Sequence, residues 1–253
     1  MIEDEVIARA DANFHYVWSI AATGHDGGEV RHHDGLLLTN TALEVAMFNQ
    51  AIVTRPLTDP EAQLRDAAAY FDAAGMPFVV RIREGLDPAS ERACETLRMP
   101  YSDTVPGMAL SDMRVPAPHE GIQIRTASSE REFDDFLLVV STVFDFPIDL
   151  FRTVFSRRVL AMPDVECYVG YSGGKAIATA SLLMSGRTAG IANVATDAAH
   201  RGKGIGEAMT WHCVRRGAEM GCVMAALQAS EMGQPVYERM GFRVVSPWRT
   251  FHR

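Results

Sequence analysis

Four prolines, Pro100, Pro106, Pro116 and Pro118, fall within Met99–Gly121, near the middle of a 253-residue chain. Proline offers no amide hydrogen and fixes φ, so within that stretch Arg114–Gly121 denies both helix and ladder bonding and reads as a linker. It divides the chain into residues 1–115 and 120–253, each long enough to bury a core without disulfides. With 47% hydrophobic and 22% charged residues, the composition excludes intrinsic disorder. Twenty-four Lys and Arg against 32 Asp and Glu leave a net charge of −8, and no stretch gathers positive charge. Nucleic acid is excluded as the main partner, and a cationic small molecule suits the balance better. No apolar run approaches the roughly 18 residues that span a bilayer, and the acidic start Met1–Glu5 lacks the basic flank of a signal peptide. A cytoplasmic chain with no membrane partner is expected. Cys94, Cys167, Cys213 and Cys222 have no C-x-x-C spacing, and His32 and His33 point to opposite faces of a strand. Packed, reduced thiols and no metal site follow.

Before the linker, residues 29–41 and 45–55 read as strands, and Thr58-Asp59-Pro60-Glu61 opens a helix as a capping box. Leu64, Ala67, Ala68, Phe71 and Ala74 fall at helical spacing, with Gly75 as terminator. A strand at 78–82 and a helix opened by Pro88 follow. Beyond the linker come a strand at 122–126 and a helix capped by Ser129 and Glu132. Strands at 166–171, 175–184 and 188–196 are separated by the turn compositions Ser172-Gly173-Gly174 and Ser185-Gly186-Arg187. A helix over 204–220 presents Ile205, Met209, Cys213, Gly217 and Met220 on one face; a strand at 222–229, a short helix at 234–240 and an extended run at 242–251 complete the chain. The pattern is α+β, with a mixed, mostly antiparallel central sheet flanked by helices. Each half reads strand pair, helix, strand, helix, strand, so two similar domains are expected.

One stretch carries the chemistry: Asn193 to Glu207, a strand that passes through Gly202, Gly204 and Gly206 into an amphipathic helix. Glycines let the backbone approach a ligand, and the first helical turn leaves several amides without internal partners. Such a terminus attracts phosphate, and Arg201 and Lys203 add positive charge beside it. A glycine-rich turn that only reverses the chain is the competing reading. The Walker pattern is absent, and the dinucleotide fingerprint needs a parallel βαβ unit where this loop follows a meander.

Arg201-Gly202-Lys203-Gly204-Ile205-Gly206 resembles R/Q-x-x-G-x-G/A, the cofactor signature of the GNAT superfamily of acyl-CoA-dependent N-acetyltransferases. Pro235-Val236-Tyr237-Glu238-Arg239-Met240-Gly241-Phe242 is similar to that family's following motif, and one helix and one strand separate the two. The resemblance covers residues 120–253 and implies the GNAT fold, acetyl-CoA as co-substrate and no metal. It further implies that Val194, Ala195 and Thr196 present backbone groups to the pantetheine arm, while the amides of Gly202, Lys203, Gly204, Ile205, Gly206 and Glu207 wrap the pyrophosphate. Residues 1–115 have no matching loop, because Arg55-Pro56-Leu57-Thr58-Asp59-Pro60 puts two prolines there. They read either as a degenerate GNAT-like domain or as a separate supporting α/β domain.

Moving an acyl group from thioester to amine requires a neutral nucleophile, a stabilised oxyanion and a proton for the departing thiolate. The resemblance implies Tyr237 as general acid; a tyrosine that packs under the sheet with its hydroxyl at the rim is the structural alternative. Where many relatives carry a glutamate base, the central strands here carry Asn193 and Gln228, so a water relay or a low-pKa amine is expected. Glu166, Asp197 and His200 are the remaining candidates. Phe144–Phe151, with interleaved acids, is expected to line the acceptor pocket, or else to serve the core between two helices. The leading function is acetyl transfer to the amine of a small-molecule acceptor. A non-catalytic acyl-CoA-binding regulatory module and a protein or peptide N-acetyltransferase are the alternatives, and a homodimer is compatible with each.

Overall fold

In a computed structural model describing residues 1–24 and 26–253, the chain forms two compact units. His15–Gly107 and Ser246–Arg253 make the amino-terminal unit; Met1–Phe14 and Met108–Val245 make the carboxy-terminal one.

The chain opens with α1 (Glu3–Thr23), a helix the sequence reading does not anticipate. Its first turn carries Glu3, Asp4 and Glu5, the charges a helix N-terminus favours. Where a single strand is expected at 29–41, the chain turns back as β1 (Glu29–His33) and β2 (Leu36–Asn40). The cause is Asp34-Gly35: φ is 43° and 93° at these two residues, the left-handed pair that a tight hairpin turn demands. The expected strand at 45–55 shortens to β3 (Gln50–Val53), behind a 3₁₀ turn at Ala46–Phe48. Buried Asn49 pins that turn, accepting from the Thr41 amide (2.9 Å) and donating to the carbonyls of Leu43 (2.8 Å) and Pro77 (2.9 Å).

Helix α2 (Pro60–Ala74) follows, capped by Asp59, one residue later than Thr58 of the expected box, and closed by Gly75 at φ 68°. Then come β4 (Val79–Arg83), α3 (Pro88–Thr96) and β5 (Tyr101–Leu110). The expected linker Arg114–Gly121 follows the last of these without helix or strand, but the last itself is ten residues of strand that include Pro106. Gly107 accounts for part of this, since an added Cβ would lie 2.2 Å from the Ser246 carbonyl and only a glycine permits so close an approach. Leu64, Ala67, Ala68 and Phe71 of α2 pack with Leu36, Leu38, Val53, Val80 and Ile82 as the core on one face of this sheet.

In the carboxy-terminal unit, β6 (Gln123–Thr126), β7 (Val165–Ser172), β8 (Lys175–Ser185) and β9 (Thr188–Thr196) form the expected antiparallel meander. Helix α4 (Glu130–Phe144) carries the Ser129/Glu132 capping box; short helices α5 (Ile148–Val154) and α6 (Arg157–Leu160) follow it. After β9 come α7 (Ile205–Glu219), β10 (Met224–Gln228), α8 (Gln234–Arg239) and β11 (Arg243–His252). Ile205, Met209, Cys213 and Val214 of α7 sit in the main core with Tyr168, Leu182, Ile191 and Leu227, whereas Met220, at the helix end, is exposed. Gly217 lets the helix close on the sheet, because an added Cβ would come within 2.5 Å of Ala189 Cβ. From α1, Val6 and Ala10 pack with Met224 and Ala226, and Asn13 donates to the Leu183 carbonyl at 3.0 Å. The fold is therefore α+β with a mostly antiparallel sheet flanked by helices, as expected. Among the described residues, no helix is long and apolar enough to cross a membrane.

His15 gives this fold an acid sensitivity. Its ring meets Trp248 edge-on with centroids 5.7 Å apart, and burial, followed by nearby His32, pushes its pKa from 6.5 down to about 4. The unfolded chain binds the proton more readily, so this contribution is complete above pH 6.5 and is lost as the pH falls through about 4. The melting temperature should decline across that window, and His15→Gln should flatten the decline. An equally steep decline in the variant would contradict the assignment to His15.

Candidate active site

The Gly-rich loop begins with Asp197, whose carboxylate accepts from the Ala199 amide (3.0 Å) and meets His200 Nδ1 (3.1 Å), shaping a 3₁₀ turn at Ala198–His200. Arg201 then folds its Nε–H onto the Thr196 carbonyl (3.1 Å), and Lys203 donates to the Ala199 carbonyl (3.2 Å). Both cations are thereby held against the loop while remaining exposed. Gly202 and Gly204 each take φ 73°, which is strained for any residue with a Cβ. Gly204 is the N-cap of α7, and no side chain caps the helix. Ala208 donates the first backbone bond, to Gly204; among the described residues, the amides of Gly202 through Glu207 meet no acceptor. Six donors therefore stand without acceptors beside two positive charges at the positive end of a helix dipole. Ile205 turns its side chain into the core and offers only its amide.

The equivalent place in the amino-terminal unit differs. There Asp59 accepts from Ala62 at 3.2 Å, and Asp87 accepts from the Leu57 and Ala89 amides at 2.9 and 3.2 Å and from the Ser90 hydroxyl. The chain's own carboxylates occupy the donors, and these bonds hold the Asp87 carboxyl below the usual range despite its burial.

Strand β9 runs on past the end of its pairing with β10 before the loop begins. The two run parallel in register from Thr188↔Met224 to Ile191↔Leu227, after which β9 continues to Thr196. Asn193 takes φ 52°, and the register with β8 breaks between Thr179 and Ser181. This bulge is fixed by the Thr179 hydroxyl, which donates to the Asn193 carbonyl (2.9 Å), and by Asn193 Nδ2, which donates to Ser181 Oγ (3.3 Å). Val194, Ala195 and Thr196 thus lie on the segment of β9 beyond the β10 pairing, with Ala195 buried. Tyr237, on α8, is 8% exposed, with its ring 5.9 Å from that of Phe242. Burial pushes its phenol up to about 12, partly offset by the Thr210 hydroxyl, and Thr210 belongs to α7. The phenol is therefore protonated throughout the ordinary pH range.

Of the candidate bases, Glu166 is engaged elsewhere. Arg216 grips its carboxylate in bidentate fashion at 2.8 and 3.1 Å and Tyr168 donates to it, which lowers its pKa. Asp197 is held below its usual range by its bond from His200 and caps the loop. In the expected acceptor segment only Phe151 is buried, with its ring 6.2 Å from those of exposed Phe144 and half-buried Phe146 and 6.4 Å from that of Phe155. Among the described residues, no group of three His, Cys, Asp or Glu side chains could hold a metal.

His119 is a residue the sequence reading missed. A Cβ added to Gly204 would lie 3.5 Å from its Nε2. Its only signal is position: it sits in the proline-bearing connector, which appears in sequence as inert.

Comparison with known proteins places this geometry. Residues 132–242 match the model of the acetyltransferase (GNAT) family. Over 94 residues the chain is 34% identical to glucosamine 6-phosphate N-acetyltransferase of Trypanosoma brucei brucei, which covers 34% of this chain and 63% of that relative's length. A GCN5-related N-acetyltransferase from Kribbella flavida superposes with TM-score 0.77 over 98% of this chain and 95% of its own, at 18% identity. A tandem GNAT protein from the clavulanic acid biosynthesis pathway does so at 0.64 over 99% and 95%, at 14% identity. The two structural likenesses extend over both halves and show the fold.

The Glu166–Arg216 pair is half-shielded, with side-chain exposures of 20% and 39%. Glu166→Gln should lower unfolding stability in urea by about 1–2 kcal/mol, the range for a partly screened pair losing one charge. No loss would mean that the pair is solvated in solution.

Proposed function

From the premise that the carboxy-terminal half carries a GNAT acetyltransferase domain, we propose that the protein is an acetyl-CoA-dependent N-acetyltransferase acting on the amine of a small molecule. We also assign residues 120–253 to the catalytic domain and residues 1–115 to a degenerate GNAT-like domain. The observation that carries the activity is the row of amides from Gly202 to Glu207, which fits a diphosphate because nothing among the described residues satisfies them. In the amino-terminal unit Asp59 and Asp87 already fill that role, which supports its reading as degenerate.

The residues divide the work. Arg201, Lys203 and the loop amides hold the co-substrate by its phosphates. Backbone groups of Val194, Ala195 and Thr196, exposed by the end of the β10 pairing, align the thioester arm as a further strand. The acceptor amine attacks the thioester carbonyl, the new C–N bond forms and the C–S bond breaks. Tyr237 gives its phenolic proton to the leaving sulfur, and burial keeps that proton in place until then. An alkylamine with a pKa of about 10.4 arrives protonated and must lose that proton. With Asn193 and Gln228 on the central strands and Glu166 in an ion pair, water beside the splayed strands carries it away.

The test is thiol release from acetyl-CoA that depends on an added amine, across a panel that includes glucosamine 6-phosphate, other amino sugars, aminoglycosides, polyamines and peptides. Binding of acetyl-CoA without amine-dependent release would instead describe a regulatory module, and acceptance of peptides alone a protein acetyltransferase. Tyr237→Phe should reduce kcat by about tenfold or more while leaving KM for acetyl-CoA nearly unchanged, the pattern of a lost general acid. Unchanged turnover would remove Tyr237 from the mechanism.

A further inference from the structure

We propose that a notch in the outer edge of β7 is a second ligand site, one that takes an N-acylated α-amino acid through its amide and its free carboxylate. The notch opens onto a cavity of about 690 Å³ walled by the end of β6, α6, the start of β7 and the far flank of α7. That volume lies within the range of small-ligand pockets.

The notch is one residue long. Backbone groups of successive strand residues turn to alternate sides, and the Asp164 carbonyl accepts from the Met184 amide (2.8 Å), so Val165 and Cys167 turn theirs outward, toward β6. Strand β6 covers that side only up to Ala127, whose amide donates to the Cys167 carbonyl at 2.8 Å. At the other end the Val165 amide donates to the Met162 carbonyl at 3.2 Å. Between these two bonds, the Cys167 amide and the Val165 carbonyl meet no partner among the described residues. Both residues line the cavity, and they are 2% and 4% exposed, so the open donor and acceptor lie deep in its wall. Buried backbone groups left open are costly, and a ligand that satisfies both removes that cost. One amino-acid unit laid parallel to β7 beside Glu166 donates to Val165 and accepts from Cys167. Ala127 and Met162 close the two ends, which excludes a longer strand from a partner chain.

Charge selects the form of that amino acid. Glu166 is the acid in the cavity wall, and it accepts from Arg216 Nε at 3.1 Å on both oxygens, from Arg216 Nη2 at 2.8 Å and from the Tyr168 hydroxyl. These contacts use the roughly four lone-pair sites of a carboxylate and leave nothing for a ligand ammonium. Arg157 also lines the cavity, and its pair with Glu130 is exposed on both sides and therefore weak, so its guanidinium is available to a ligand carboxylate. Two arginines against one satisfied carboxylate repel a free amine and favour an acylated one. His212 suits the acyl carbonyl: its ring lies edge-on to Tyr168 at 4.5 Å and makes no hydrogen bond among the described residues. Burial, and then Arg215, lowers its pKa, so the ring is neutral and donates from one nitrogen. Leu160 and Ala161 supply an apolar wall for the side chain.

Calorimetry and amide hydrogen exchange on the full chain test the site, with N-acetyl-L-leucine as the probe. Two analogues serve as controls: L-leucine, which carries the ammonium, and N-acetyl-L-leucinamide, which lacks the carboxylate. The probe should bind with a Kd of about 1 mM or below, and each analogue about tenfold more weakly. Saturation should slow exchange of the Cys167 amide by about tenfold or more. Arg157→Gln, at an exposed position, should weaken binding by about fivefold or more and leave Tm unchanged. No saturable binding of the probe, equal binding of L-leucine, an unchanged affinity in Arg157→Gln, or binding that leaves Cys167 exchange unaltered each overturns the proposal. Acetyl transfer is read separately as thiol release, and none of these results bears on it.

Discussion

The amides of Gly202 through Glu207 are the constraint on which the rest of the carboxy-terminal unit depends. A helix begins with donors that have no partner inside it, and most chains satisfy them with a side chain at the cap. The same chain does so at α2, where Asp59 supplies the acceptor. At α7 it places glycine at the cap and leaves the donors open, at the end of a helix whose inner face is fully committed to the core. The cost of those unmet donors is tolerable only at a surface that water or an anion can reach, and all four residues from Arg201 to Gly204 are exposed.

Opening the sheet is the second requirement, and it too is built from local polar bonds. A left-handed residue, Asn193, follows the last β9–β10 pair, and the hydroxyls of Thr179 and Ser181 hold it from β8. In the amino-terminal unit the parallel strands β3 and β4 stay in register over all four residues of β3, from Gln50 to Val53. The two halves therefore share an order of elements, antiparallel strands, helix, parallel strand, helix, and differ at the first helix start and in the pairing before it: at α2 a side chain caps the helix and β3 is paired along its length, at α7 glycine is the cap and β9 outruns its pairing.

Much of this was legible in the sequence because it depends on local chemistry. The meander turns at Ser172-Gly173-Gly174 and Ser185-Gly186-Arg187, the Ser129/Glu132 box and the apolar stripe of α7 each declare themselves over a few residues. The misses have physical reasons as well. Proline reads as a breaker, yet Pro106 lies within β5. Asp34-Gly35 was hidden inside a run that looked continuously extended. Helix α1 has short and mixed apolar positions, and residues such as Asn13 find their bonds only on strand β8.

The sequence by itself determined the loop: glycines at 202, 204 and 206, the flanking cations and the following apolar stripe specify an uncapped helix start, because each acts on its own backbone neighbours. It also determined the position of Tyr237, on the short helix that follows one helix and one strand later. Only the tertiary structure decided what those residues are near. It buried Tyr237 so that its proton is retained, drew Glu166 into a bond with Arg216 fifty residues away, and brought His119 of the connector to the edge of Gly204. Contacts between distant residues depend on how helices and strands pack in three dimensions, and residue spacing along the chain carries no record of them.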